Sequence, residues 1–116
     1  MGQLTTHILD TMHGKPAAGV QIELYSLDGE RQVIKTVLTN SDGRCDAPLL
    51  NSDEIRQGNW EIVFQIGAYF KGEQIDAAET PFLTEVPVRF GIDDVDAHYH
   101  VPLLVSPWSY TTYRGS

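Results

Sequence analysis

The sequence predicts an all-β domain: a sandwich of seven or eight strands, with one short helix near residues 70–79. Three observations carry that reading. Short runs alternate apolar and polar residues with period two, the mark of half-buried strands. Turn signals separate the runs: His13-Gly14-Lys15-Pro16, Asp28-Gly29, Asp42-Gly43, Gly58-Asn59 and Ser106-Pro107. The length of 116 residues, 41% of them hydrophobic, suits one domain over residues 1–116 with a single core.

The runs follow in order. Residues 3–11 are a weaker candidate, with Leu4, Thr6 and Ile8 on one face and Thr5, His7, Leu9 and Thr11 on the other. Val20, Ile22 and Leu24 alternate with Gln21, Glu23 and Tyr25. Residues 33–39 and 44–47 are further weak candidates, and Ser52 is read as the N-cap of a single turn. Trp60, Ile62, Phe64 and Ile66 then form the inward face of a strong strand. The pattern breaks from Ala68 to Glu79, where Tyr69, Phe70, Ile75, Ala77 and Ala78 lie among charges, and Thr80-Pro81 ends the expected helix. Val86, Val88 and Phe90 form the next strand, and Tyr99, Val101, Leu103 and Val105 the one after it. Pro87 and Pro102 inside these runs call for an edge, a bulge, or an N–H position facing away from the ladder. Residues 108–114 are the last candidate.

Charge and composition exclude several function classes. The formal charge is −8, from 16 acids against 8 scattered bases, so the chain has no basic patch for nucleic acid or an anionic membrane. The longest apolar run, Val101 to Val105, is far short of the ~20 residues of a membrane span. The opening residues show no export signal, so the cytoplasm is the expected compartment, or the periplasm if such a signal has been removed. The lone Cys45 forms no internal bridge and fits no cysteine-based zinc pattern.

Histidines carry the chemistry. His98 and His100 leave the same face of a strand, opposite the core set that begins at Tyr99. Pro102 and Leu104 share that outward face, and in the first strand His7 shares its face with Leu9. Outward faces mixing histidine with apolar residues indicate burial against a ligand or another subunit. Three readings compete: histidines that share a face for structural reasons, a three-histidine zinc site, or metal-free acid–base chemistry. Spacing does not separate the last two.

Arg44 follows the Asp42-Gly43 turn and offers a guanidinium for a carboxylate or a planar imide-type oxygen. The chain closes on Tyr113-Arg114-Gly115-Ser116, running straight on from a strand pattern. Together with His98-Tyr99-His100-Val101-Pro102-Leu103-Leu104, Thr5-Thr6-His7-Ile8-Leu9-Asp10, Gly14 to Val20 and Thr39 to Arg44, this ending resembles the transthyretin-like family of 5-hydroxyisourate hydrolases. The likeness runs from about Leu4 to Ser116.

The resemblance implies a transthyretin-like two-sheet sandwich assembled as a homotetramer around a channel. It implies hydrolysis of 5-hydroxyisourate to 2-oxo-4-hydroxy-4-carboxy-5-ureidoimidazoline in urate degradation, with no metal and no cofactor. Under it His7, Arg44 and His98 are catalytic. His7 and His98 move protons, while Arg44 holds substrate oxygens and stabilises developing negative charge. His100, Tyr113, Arg114, Gly115 and Ser116 bind substrate. The alternative is a hormone-like binding protein with a transthyretin-type channel and no catalysis, which calls for an apolar channel.

Overall fold

A computed structural model describes residues 1–74 and 79–115 of the chain. Among the described residues, eight strands and one helix follow one another along the chain. They are β1 (Gln3–Asp10), β2 (Lys15–Pro16), β3 (Gln21–Ser26), β4 (Gln32–Leu38) and β5 (Gly58–Phe64). After α1 (Ile66–Gly72) come β6 (Val86–Ile92), β7 (His98–Val105) and β8 (Tyr110–Thr112). Two four-stranded sheets form, in the orders β2-β1-β7-β8 and β4-β3-β5-β6. Leu4, Ile8, Tyr99, Leu103 and Val105 from the first sheet meet Ile22, Leu24, Trp60, Ile62 and Phe64 from the second in one buried core.

The pairing of β1 with β7 is parallel, with Gln3 opposite His98, Thr5 opposite His100 and His7 opposite Pro102. The other strand pairs are antiparallel. A parallel pair cannot be closed by a hairpin. Here the whole second sheet is the connection, so the first and last parts of the chain lie side by side. The two prolines fit this frame. Pro87 lies on β6, an edge strand. Pro102 turns its carbonyl to β8, where it accepts a hydrogen bond from Thr112 Oγ1 at 2.8 Å. Its missing N–H therefore points to the same side, where β8 has already ended.

The structure corrects several expectations. The helix occupies Ile66–Gly72 rather than a span near 70–79, and Ile75 to Ala78 lie outside the described residues. Ile66 belongs to the helix although it continues the alternation of β5, because both periods turn it inward at that point. Ile66 and Phe70, four apart, are the buried stripe. Gly67 lets the first turn lie against residues 81–84, where an added Cβ would stand 3.0 Å from Leu83 O. Gln74, with a φ of 59°, carries the chain out of the helix. Residues 44–47 form no strand; Arg44 alone bridges to β1. The turn at 52–54 is capped by Asn51 rather than Ser52, since Asn51 Oδ1 accepts from the N–H groups of Asp53 and Glu54. Lys15–Pro16, read as turn, adds a two-residue strand beside the end of β1.

Asp10, fully buried at the end of β1, ties this corner together. Its carboxylate accepts from the backbone N–H of Met12 and His13 and pairs with His13 Nδ1 at 2.6 Å. The Tyr69 hydroxyl on α1 donates to it at 2.8 Å. Burial alone would raise this carboxyl's pKa, but the hydrogen bonds from His13 and Tyr69 more than reverse that and hold it below the usual aspartate value. Stability from this depression is present above the unfolded aspartate value and is lost as pH falls through the lower folded one. Removing the donor with Tyr69→Phe is expected to lower unfolding free energy by about 1–2 kcal/mol. Urea denaturation with an unchanged slope is the check; a midpoint equal to that of the parent chain would mean the helix is not held by this bond.

Candidate active site

The β1–β7 register places three polar side chains on the outward face of the first sheet. Odd-numbered residues of β1 and even-numbered residues of β7 share that face, because opposite partners in a parallel pair point the same way. Thr5 lies beside His100 and diagonal to His98. Its hydroxyl is 2.9 Å from His98 Nε2 and 2.8 Å from His100 Nδ1. His98 is exposed and His100 half-buried, their rings inclined at 63°.

Arg44 reaches the same face from a loop folded against β1. Asn40 Oδ1 accepts from the N–H groups of Asp42 and Arg44, closing the turn on itself. Gly43, with a φ of 73°, takes the left-handed position, and an added Cβ would stand 2.5 Å from Ile8 O. Its carbonyl accepts from Ile8 N–H at 2.9 Å. These contacts pin Arg44 opposite His7 in an isolated antiparallel bridge. Thr5, Arg44, Cys45, Asp46, His98 and His100 are among the walls of a cleft of about 310 Å³. His7 adjoins Arg44 but is not part of the cleft's lining.

The end of the chain divides between two places. Gly115 bridges His100, its N–H donating to the His100 carbonyl at 2.7 Å. A Cβ there would stand 2.7 Å from His100 Cδ2, so a side chain at this position would displace the imidazole. Tyr113 and Arg114 instead line a separate cavity of about 380 Å³ between β6 and β8. Arg114 stacks over Tyr99, its Cζ 4.2 Å from the ring centroid, on the face of β7 opposite the histidines. Ser116 lies outside the described residues.

Two of the histidines are shifted toward their neutral form. Burial lowers the His7 pKa, and the Arg44 guanidinium lowers it further, against a smaller pull upward from the Asp42 backbone and carboxylate. Burial also lowers that of His100, followed by the charges of Arg44, His7 and His98. Imidazoles biased toward the neutral form beside an exposed guanidinium suit proton transfer on a substrate whose oxygens gain negative charge. Among the described residues, the His, Cys, Asp or Glu groups with three ligand atoms within 4.8 Å of one another are Asp10, His13 and Glu73. That cluster lies at the Asp10 corner, where Lys15 and Tyr69 already bond to it. His7, His98 and His100 do not converge on one point in the protomer, so the three-histidine zinc reading lacks its geometry. Thr5 was legible from its shared face with His7; its contact with both other histidines depends on the pairing of β1 with β7, which alternation does not reveal.

Comparison with known proteins points to one family. The profile of the HIUase/Transthyretin family matches residues 4–115. A 5-hydroxyisourate hydrolase of Mesorhizobium japonicum is 57% identical over 116 residues, covering 99% of this chain and 93% of the relative. The crystal structure of an (S)-allantoin synthase superposes with a TM-score of 0.92 at 45% identity, covering 99% of this chain. The present chain spans only 44% of that larger one. The Klebsiella pneumoniae 5-hydroxyisourate hydrolase structure aligns over the whole of both chains, with a TM-score of 0.81 and 32% identity.

The electrostatics have a measurable consequence. His7 and His100 are expected to titrate below the ordinary histidine value of 6.5, and Arg44→Gln to move both midpoints upward. Proton NMR of the imidazole C–H signals reads each midpoint. The linked stability is fully present above 6.5 and is lost as pH falls through the lower folded values. Midpoints unmoved by Arg44→Gln would show that the guanidinium does not act on these rings.

Proposed function

Because the chain belongs to the HIUase/transthyretin family, we propose that it hydrolyses 5-hydroxyisourate, a step of urate degradation, and works through the His7–Arg44–His98–His100 face. The observation that carries the site assignment is one polar cleft walled by Arg44, His98 and His100 with His7 adjoining Arg44, two of these imidazoles being biased toward the neutral form.

Each role rests on position, and for His7 and His100 also on their bias toward the neutral form. Neutral His7 accepts a proton from water as the water oxygen attacks a ring carbonyl of the substrate. Arg44, whose backbone bridges to His7, holds the planar oxygens and stabilises negative charge developing on the attacked carbonyl. His98, exposed on the same face, gives a proton to the ring nitrogen as the C–N bond breaks. His100 walls the cleft, and Gly115 keeps its ring in place. Tyr113 and Arg114 face the edge cavity of their own protomer, so any contact they make with substrate comes from a neighbouring copy.

We place the site in a homotetramer. Trp108, Tyr110 and Tyr113, in and beside β8, have 44–57% of their surfaces exposed, and Leu9 and Leu104 lie half-covered on the histidine face. Apolar surface of that kind suits burial between copies. No described helix is long and apolar enough to cross a membrane. A lone free thiol at Cys45 fits a reducing compartment, and we assign the cytoplasm. Arginine and two histidines around the cleft count against a carrier of large apolar ligands.

Fresh 5-hydroxyisourate made by urate oxidase, followed by ultraviolet absorbance, tests the activity. Decay is expected to accelerate with the protein and to stay accelerated after EDTA. His7→Ala and His98→Ala are each expected to lower kcat by about 10²–10⁴-fold. Full kcat in either variant would remove that residue from the mechanism. Decay equal to the uncatalysed rate with the unaltered chain would move the weight to ligand binding.

A further inference from the structure

The Thr5 hydroxyl sits between two imidazole nitrogens of different type, His98 Nε2 at 2.9 Å and His100 Nδ1 at 2.8 Å. A hydroxyl has one hydrogen to give. The arrangement that satisfies all three groups has Thr5 donating to one ring and accepting from the other. Two bare nitrogens would leave one unserved, and two N–H donors would leave the hydroxyl hydrogen without a partner among the described residues.

Two hydrogen-bond states satisfy the bridge. In the first, His98 Nε2–H donates to Thr5 and Thr5 donates to His100 Nδ1. His98 then presents a bare Nδ1, and His100 presents an Nε2–H. In the second every proton is reversed, so His98 presents an Nδ1–H and His100 a bare Nε2. Both rings carry the same tautomer in either state, and one always offers an outer base while the other offers an outer acid.

We propose that Thr5 is a positioning residue of the hydrolytic site, locking His98 and His100 into matched tautomers and passing a proton between them. This rests on the assignment of His98 as the donor to the leaving nitrogen. As His98 Nδ1–H gives its proton to that nitrogen, Thr5 hands its own to His98 Nε2. His100 Nδ1 refills Thr5, and a proton from water enters at His100 Nε2. The proton that His7 took from the attacking water returns to the solvent, and proton exchange with water at the two outer nitrogens resets the bridge to its second state, so the sum over a turnover is one water split across one C–N bond. Neither bridged imidazole ends with a net charge. The lowered pKa of His100, caused first by burial and then by Arg44, keeps its outer nitrogen free to accept.

Nitrogen-15 NMR of the histidine rings near about pH 8, where neutral imidazole dominates, reads the tautomers directly. The unaltered protein is expected to show equal tautomer fractions for His98 and His100. Thr5→Val, which keeps the strand and the side-chain volume, is expected to shift His98 Nε2 and His100 Nδ1. Unequal fractions in the unaltered protein, or unchanged shifts in Thr5→Val, would overturn the coupling. In the 5-hydroxyisourate assay both imidazoles remain in Thr5→Val, so the loss should fall short of that for deleting an acid–base group. A fall in kcat of about tenfold to a hundredfold is expected, with KM little changed and Thr5→Ser restoring most of the rate. Parental kcat in Thr5→Val would overturn the proton transfer. Absence of hydrolysis by the unaltered chain would count against the functional reading alone, while the nitrogen spectra still decide the coupling.

Discussion

Everything at the candidate site depends on the parallel register of β1 against β7. Gln3 stands opposite His98 and Thr5 opposite His100, and this single alignment fixes which side chains can meet. Side chains alternate along a strand, so a slip of one residue would send the histidines into the core and Tyr99 into water. The slip is opposed from the inner face. Leu4, Thr6 and Ile8 of β1 and Tyr99, Val101, Leu103 and Val105 of β7 are all buried there. The Thr6 hydroxyl also donates to the Val101 carbonyl at 2.7 Å, locking the same register from inside. The core therefore positions the chemistry without touching it.

That dependence explains the connectivity. Residues from the start and end of the chain meet only if the intervening segment folds as a unit that returns β7 beside β1. The second sheet and α1 form that unit, and its Trp60, Ile62 and Phe64 cover the inner face that fixes the register. Arg44 arrives separately, on a loop that Asn40 closes on itself and that the Gly43 carbonyl bonds to β1, rather than one held by an apolar face. The Arg44 backbone is thereby held beside that of His7, while its side chain is exposed. Its charge acts on the two imidazoles without an ion pair to neutralise it among the described residues.

Strand-borne features were legible in the sequence because period-two patterns are local. The inward set of β7 and the shared face of His98 and His100 follow directly from alternation. The helix was misplaced for an equally local reason. Ile66 satisfies both the strand and the helical period, and the segment that distinguishes them lies elsewhere, where residues 81–84 pack against Gly67. Arg44 was recognisable as a residue after a tight turn, but its neighbour His7 lies 37 positions earlier, a contact no periodicity can disclose. Alternation puts Thr5 on the histidine face but gives it no role, since its meaning lies in two distances across a strand pair.

The terminal segment shows how one short stretch serves both faces of the same strand. Gly115 reaches over to the His100 backbone, and the ring packs where a side chain would otherwise stand. One residue earlier, Arg114 lies across Tyr99 on the inner side. Tyr99 is itself fixed, because its hydroxyl accepts from the backbone N–H groups of Asp93 and Asp94 at the turn that leads into β7. The tail thus grips β7 through an aromatic ring on one face and the His100 backbone on the other. A terminal tetrapeptide held only by its own propensity would fray. Held in this way, it links the packing of Tyr99 to the placement of His100, so the core and the site share their last constraint.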